Sequence, residues 1–162
     1  MRKELNSALL TILRTRPSAC ADLFGSDQYP DIHGFVCFYP FLDGTLAAVE
    51  AAGLPDDGQA CKQHIFGCHI HEGTDCRGAG FSDTGNHYNP GGCSHPDHAG
   101  DLPPLFGNNG YALILFYTDR FEPEDIIGHT VVIHSQADDF RSQPSGDSGE
   151  KIACGIIRYT MP

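Results

Sequence analysis

The chain is poor in basic residues. Its 162 residues include only 10 Lys and Arg against 21 Asp and Glu, so the formal net charge at pH 7 is −11. Nucleic acids and anionic membrane surfaces attract clusters of positive side chains, and the sequence contains no such cluster. We therefore expect neither nucleic acid nor a membrane surface as a partner.

The sequence also lacks a long apolar run. No stretch of eighteen or more apolar residues is present, which excludes a membrane-spanning helix of ordinary length. The apolar stretch near the start is short and is followed by Arg14 and Arg16, so a cleaved signal peptide is not supported. The expected compartment is the cytoplasm.

No internal repeat or second periodic region is visible, so one folded domain is expected. A chain of this size buries roughly 70% of the surface that it exposes when unfolded. Four apolar residues share one helical face near the start: Leu5, Leu9, Ile12 and Leu13. They predict an amphipathic helix and connector in residues 1–30, before a main domain at residues 31–162. Such a helix most simply docks on its own domain, and binding to a partner or membrane is the alternative.

Six short segments are typical of β-strands, and clusters of Gly, Pro, Asn and Asp separate them. These segments are residues 32–39, 45–52, 65–71, 111–116, 130–134 and 151–159. Short strands without helices between them predict an all-β fold, an antiparallel sandwich.

Histidines with the spacing of metal ligands are the most informative feature. In the predicted strand at residues 65–71, His69 and His71 are two positions apart, so both imidazoles project from the same face. The Gly- and Pro-rich stretch of residues 87–101 predicts a loop organised around a ligand. It carries four potential zinc ligands of nitrogen and oxygen type: His87, His95, His98 and Asp101.

A distant histidine completes a second set. His134 follows the β-branched run of residues 130–133, which predicts a strand. With His69, His71 and His87 it forms an all-imidazole set suited to copper. His87 then serves both metals, which requires the loss of its second ring proton, and two nearby divalent ions favour that loss.

The chain resembles the copper, zinc superoxide dismutases, in particular bacterial members of that family. The matching stretches are residues 66–72 (FGCHIHE), 85–90 (GNHYNP), 98–102 (HAGDL), 127–134 (IGHTVVIH) and 152–157 (IACGII). The resemblance implies an immunoglobulin-like Greek-key β-sandwich or barrel with long metal-binding loops, here with an added N-terminal helix.

The resemblance also assigns the metals. It implies copper on His69, His71, His87 and His134. It implies zinc on His87, His95, His98 and Asp101. Asp138 falls where the family has a carboxylate that links a copper-ligand histidine to a zinc-ligand one and orients their rings.

One position departs from the family pattern. Three residues before Cys154 the family has an arginine that docks the superoxide anion, whereas this chain has Lys151. Lysine keeps the positive charge but lacks the planar, two-pronged guanidinium, so activity below that of the family is expected. Arg141 is an alternative guide for the anion.

Seven cysteines are many for a chain without an evident export signal. The resemblance implies a disulfide between Cys76 and Cys154. Cys68 alternates with the two ligands of its strand and should point away from the metals. The pairing of Cys20, Cys37, Cys61 and Cys93 stays open, and the odd total leaves at least one thiol free or intermolecular.

The resemblance implies superoxide dismutation, in which two superoxide anions and two protons give dioxygen and hydrogen peroxide. Lys151 would dock the anion, and His87 would carry the proton. The resemblance is also compatible with a homodimer. The alternative is a non-catalytic module that binds copper and zinc, and a mononuclear zinc hydrolase ranks third because no spare carboxylate is clearly placed as a base.

Overall fold

Ten β-strands make up most of the regular structure. The computed structural model describes residues 10, 12, 14–61 and 64–161. Its strands are β1 (Ala19–Gly25), β2 (His33–Phe41), β3 (Gly44–Ala52), β4 (Ile65–Phe66), β5 (Cys68–His71), β6 (Leu105–Phe106), β7 (Tyr111–Thr118), β8 (Thr130–His134), β9 (Lys151–Ile156) and β10 (Arg158–Tyr159). Short 3₁₀ helices lie at Ala79–Thr84 and Pro123–Ile126.

The strands form one large antiparallel sheet and one small one. The large sheet has the order β5-β8-β9-β1-β2-β3-β7, and β10 pairs with β1. The small sheet pairs β4 with β6. The large sheet curls into a Greek-key β-barrel, because a long antiparallel sheet twists and must bury one face. The predicted all-β fold class is confirmed.

Alternation along the strands separates the core from the surface. In β2, Val36 and Phe38 are fully buried, and in β3 Ala47 and Val49 face the same interior. Side chains two residues apart share a face of a strand, so the apolar residues at these positions fill the barrel.

Two features differ from the sequence-based expectations. The segment expected as a connector before residue 31 contains β1, which lies between β9 and β2. The alternation of apolar and polar residues in β1 is weak, because two of its three buried positions, Ala19 and Ala21, carry small side chains and only Leu23 carries a large one. The single strand expected at residues 65–71 is two strands in different sheets, interrupted at Gly67.

The predicted N-terminal helix falls largely outside the described residues. Of the four apolar positions that predict it, only Ile12 is described, so the helix and the division at residue 31 stay predictions. Within the described part of the chain, no helix has the length and apolar character needed to cross a membrane.

Two disulfides cross-link the fold. Cys76 is bonded to Cys154, as the resemblance implied. The sequence did not indicate the second bond, which joins Cys20 of β1 to Cys37, its direct cross-strand neighbour in β2. Three described cysteines are free thiols: Cys61, Cys68 and Cys93.

Candidate metal centre

Strand β5 presents two histidines on the face opposite the core. Cys68 and Ile70 pack into the hydrophobic core, and the alternating His69 and His71 project from the other face. β5 pairs with β8, with His69 opposite Val132. Burial raises the pKa of the Cys68 thiol to about 12, which keeps it protonated as a core residue. Cys68 thus points away from the histidines, as predicted.

Regular alternation in β8 brings a third histidine to the same face, because Val132 lies opposite His69 and His134 follows Val132 by two residues. The register between β8 and β9 shifts between Ile133 and His134, so that His134 lies opposite Lys151. The register shifts because Ile152 of β9 has no partner in β8, so the bulge lies in β9. The candidate anion-docking residue is therefore the cross-strand neighbour of a candidate copper ligand.

The metal loop, residues 87–101, is attached to β5 through its two ends. His87 forms an isolated backbone bridge with His71, and Asp101 forms one with His69. Gly100 lies so close to β5 that an added Cβ would be 2.3 Å from the carbonyl oxygen of Ile70. Glycine is required there because no side chain fits between the two backbones.

The seven predicted ligands form two clusters that share His87. In each cluster the potential ligand atoms lie within 4.8 Å of one another. The first cluster is His69, His71, His87 and His134. The second is His87, His95, His98 and Asp101. All six histidines are buried.

Each cluster contains buried imidazole nitrogens that form no hydrogen bond with the protein. Within the described residues, four buried nitrogens form no hydrogen bond: His69 Nδ1, His87 Nε2, His95 Nδ1 and His98 Nδ1. A buried polar atom without a partner is costly, so such atoms indicate a missing ligand. One nitrogen of His71 is also held by the protein, because its Nδ1 donates to the Gly85 carbonyl at 2.9 Å. Its Nε2 faces His134 Nε2 at 3.2 Å, inside the first cluster.

Burial favours the neutral form of three imidazoles in the first cluster, those of His69, His71 and His134. It lowers the pKa of His69, holds that of His71 well below the usual value, and lowers that of His134 to about 3. A neutral imidazole has a free lone pair, which is the form that binds a metal ion.

Asp101 is the carboxylate of the second cluster. Its oxygens lie 2.7 Å from His87 Nδ1, 3.1 Å from His95 Nδ1 and 3.3 Å from His98 Nδ1. Burial alone would raise its pKa, but the His87 hydrogen bond and the three imidazoles hold the pKa below its usual value. Three nitrogens and one anionic oxygen match the donors of a tetrahedral zinc site.

Asp138 joins the two clusters. Its Oδ2 accepts a hydrogen bond from His69 Nε2 at 2.7 Å, and its Oδ1 accepts one from His95 Nε2 at 2.9 Å. Burial would raise its pKa, yet the hydrogen bonds from His69, Phe140 N and His95 lower the pKa to about 2. The ionised carboxylate therefore fixes which nitrogen of each ring faces its cluster.

Lys151 lines the cleft that opens onto the first cluster. Its Nζ donates to Thr84 Oγ1 at 2.7 Å and to the Gly85 carbonyl at 3.1 Å. Burial lowers its pKa. The cleft has a volume of about 480 Å³, and the described residues that line it include His71, His87 and His134 but not Arg141.

Two side chains that contact the metal loop were missed from the sequence. Arg120 donates to the carbonyl groups of Pro96 and His98, and Gln143 bonds to the backbone of His95. These contacts join segments more than twenty residues apart through main-chain atoms, so no motif or spacing indicates them.

Comparisons with known proteins show the family to which this chain belongs. The sequence model described as Copper/zinc superoxide dismutase (SODC) matches residues 32–157. A Cu-Zn superoxide dismutase of Deinococcus radiodurans is 31% identical over 98% of this chain and 98% of that protein. The Legionella pneumophila Cu-Zn superoxide dismutase is 28% identical over 95% of each.

A solved structure shares the fold. The crystal structure of a SOD-like protein from Bacillus subtilis superposes with a TM-score of 0.71 at 27% identity, over 85% of this chain and 96% of that one. The matched family implies copper and zinc, and the two histidine clusters are able to bind two metal ions. With its ligand-like clusters, its barrel and a family match over most of its length, this chain belongs to the copper/zinc superoxide dismutase family.

Proposed function

We propose that the protein is a superoxide dismutase that converts two superoxide anions and two protons into dioxygen and hydrogen peroxide. In this proposal copper is held by His69, His71, His87 and His134. Zinc is held by His87, His95, His98 and Asp101. The observation that carries the proposal is the position of His87, whose ring belongs to both clusters.

The donor sets fit the two metals. Four imidazoles suit copper, because cupric ions favour tetragonal nitrogen coordination. The second set offers three nitrogens and one carboxylate, which is a common zinc arrangement. The unpartnered nitrogens of His69 and His87 support the first assignment, and those of His95 and His98 support the second.

His87 is placed to hold and release a proton. When bound, copper supplies a one-electron redox couple, and zinc supplies a fixed positive charge. Nδ1 of His87 lies on the Asp101 side of the ring, and Nε2 faces the other cluster without a protein partner. The ring can therefore stay oriented through Nδ1 while Nε2 accepts a proton and delivers it to the substrate.

Lys151 is placed to draw the anion into the cleft. Thr84 and Gly85 fix its ammonium group at the cleft wall, and Gly85 also accepts the hydrogen bond from His71. A fixed positive charge beside the copper ligands attracts a small anion and limits its positions.

The test measures metal content and superoxide decay in the same variants. Protein loaded with copper and zinc should consume pulse-generated superoxide, and protein loaded with zinc alone should not. His87→Ala should disturb both metals, whereas His134→Ala should lose copper and retain zinc. His33→Ala is the matched control, because His33 is exposed on β2 and, among the described residues, its side chain forms a hydrogen bond only to the Asp31 carbonyl. Retention of both metals with unchanged copper spectra in His87→Ala would contradict the shared-ligand assignment.

A non-catalytic copper- and zinc-binding module is the second candidate. Lys151 in place of the family's arginine favours it, since the docking group has lost its two-pronged geometry. Stoichiometric binding of both metals without superoxide consumption above that of free copper would establish this alternative.

A further inference from the structure

The metal loop is held at its backbone by an arginine from a different segment. Arg120 follows β7, and its Nη1 donates to the carbonyl oxygens of Pro96 and His98, each at 3.0 Å. Its Nη2 also lies 3.7 Å from Asp97 Oδ1. The Arg120 and Asp97 side chains are 38% and 75% exposed, so this ion pair adds little. The two charged hydrogen bonds to carbonyl groups are the stronger contacts.

A glutamine from another segment also holds the loop. The Oε1 of Gln143 accepts a hydrogen bond from the His95 backbone N–H at 3.0 Å, and its Nε2 donates to the His95 carbonyl at 2.7 Å. The side-chain amide thus pairs with the backbone of His95 as a neighbouring strand would. Gln143 lies five residues after Asp138, whose carboxylate bonds to the His95 ring.

We propose that Arg120 and Gln143 are positioning residues that raise zinc affinity by ordering the metal loop before the ion binds. The proposal rests on the zinc assignment made above. The loop has no regular structure between residues 89 and 100, so ordering its backbone costs conformational entropy at each residue. Contacts that order the loop in the metal-free protein reduce the part of this cost that zinc binding must offset.

His98 depends most on this arrangement. The rings of His69 and His95 are oriented by Asp138, which lies outside the metal loop. Among the described residues, the contacts that His98 forms through hydrogen bonds or ion pairs come from Asp101 within the loop and from Arg120 outside it. Arg120 is therefore the residue that fixes His98 relative to the barrel.

When Arg120 is replaced, the loss of its charge and the loss of its positioning contacts predict opposite changes in zinc affinity. Removing a positive charge near a dication site strengthens cation binding through electrostatics alone. Loss of the two carbonyl contacts loosens the loop and weakens binding. The direction of the change in Arg120→Met therefore separates the two explanations.

The experiment measures zinc affinity by competition with a chromophoric chelator on copper-free protein. Arg120→Met and Gln143→Met should each weaken zinc binding about tenfold, which corresponds to roughly 1.4 kcal/mol. A range of 10- to 100-fold is typical for residues that orient metal ligands. Arg120→Lys should lie between Arg120→Met and the unchanged protein, because an ammonium retains charge and donors but not the fork.

Two variants remote from the loop serve as controls. Arg158→Met removes the same charge from β10, and Gln28→Met changes an exposed glutamine in the turn after β1. Both should leave zinc affinity unchanged. The absorption spectrum of cobalt bound in place of zinc should shift in Arg120→Met and Gln143→Met but not in the controls. Such a shift reports ligand geometry, which a general loss of stability would not alter.

Unchanged or stronger zinc binding in both Arg120→Met and Gln143→Met would overturn the proposal. A lower unfolding temperature of the metal-free variants with unaltered zinc affinity would also overturn it, because the residues would then be structural only. Failure of the proposed activity has a different signature. It would appear as absent superoxide decay in the unchanged protein, whatever the order of zinc affinities among the variants.

Discussion

Each oxygen of Asp138 has a separate task. Oδ2 bonds to His69 in the first cluster, and Oδ1 bonds to His95 in the second as well as to the backbone N–H of Phe140. A single carboxylate can orient both rings because each of its two oxygens accepts a hydrogen bond from a different ring. Movement of Asp138 should therefore disturb both clusters together.

Gly146 provides the space for this carboxylate, and its replacement tests the link between the clusters. A Cβ at Gly146 would lie 2.0 Å from Asp138 Oδ1 and 2.7 Å from His95 Nε2. We expect Gly146→Ala to weaken copper and zinc binding together by about tenfold, within the usual range for groups that orient ligands. Metal titrations of the metal-free variant measure the effect.

Gly58→Ala is the matched control for backbone strain. Both glycines have positive φ, +71° at Gly146 and +68° at Gly58, but nothing lies within 4 Å of a Cβ at Gly58. Alanine in this conformation costs about 1–2 kcal/mol at either position. Equal metal affinities in the two variants would show that the collision with Asp138 is unimportant.

Residue spacing predicted that the candidate ligand side chains cluster, because most of them lie close together in the sequence. His69 and His71 are related by strand periodicity, and the loop from His87 to Asp101 carries its donors in one short stretch. The support from Gly146, Thr84 and Gln143 was not predicted, because it depends on contacts across the fold.

At the scale of elements, β9 and the segment before the metal loop are joined twice. Cys154 of β9 forms the disulfide with Cys76, and Lys151 of the same strand bonds to Thr84 and Gly85. The disulfide therefore restrains the segment that fixes the ammonium group of Lys151. The Cys20–Cys37 bond instead joins two strands that are already paired by backbone hydrogen bonds.

The two disulfides should differ in both stability and function. The chain-entropy account gives roughly 4.5 kcal/mol for a loop closed over the 78-residue separation of Cys76 and Cys154, against roughly 3 kcal/mol for the 17-residue separation of Cys20 and Cys37. Denaturant unfolding of metal-free Cys76→Ser/Cys154→Ser and Cys20→Ser/Cys37→Ser proteins measures these losses.

Superoxide decay separates the roles of the two bonds. Only the Cys76→Ser/Cys154→Ser protein should lose activity, because only that bond restrains the Thr84 and Gly85 partners of Lys151. Equal activities in the two double variants, after correction for metal content, would remove the functional role of the Cys76–Cys154 bond.

Strands rich in β-branched or aromatic residues were predicted well, and weakly patterned ones were not. β2 and β8 lie close to their expected bounds because β-branched and aromatic residues dominate them. β1 escaped prediction because alanine fills two of its three inward positions. The Cys20–Cys37 bond was hidden for the same reason, since the pairing of β1 with β2 places the two cysteines opposite each other.

At the scale of the whole molecule, net charge and substrate charge conflict. The chain carries a formal charge of −11, and the proposed substrate is an anion. Glu72 also lines the cleft, and it is exposed. Among the described residues that line the cleft, Lys151 is the only lysine or arginine, so it is the side chain that can oppose this negative field. Charges nearest the site dominate, because charges separated by more than about 10 Å are largely screened at 0.1 M salt.

Substitutions at Lys151 test this balance between near and distant charge. Lys151→Arg should raise superoxide turnover, because guanidinium keeps the attraction and adds two fixed donors for one anion. Lys151→Ala should lower turnover about tenfold, an increase of roughly 1.4 kcal/mol in the barrier. Arg158→Ala removes the same charge far from the cleft and should leave turnover unchanged.

The dependence of turnover on ionic strength shows whether the electrostatic field at the cleft attracts or repels the substrate. Turnover of the unchanged protein and of Lys151→Arg should fall as salt is added, because salt screens the attraction at the cleft. Lys151→Ala should fall less steeply or rise, because the repulsion from the acidic surface is then a larger part of the field. Pulse-generated superoxide decay across a salt series, on proteins matched for metal content, measures these slopes. Identical slopes and rates for the three proteins would mean that Lys151 does not guide the anion, and Arg141 or the metal ions would then have to supply the attraction.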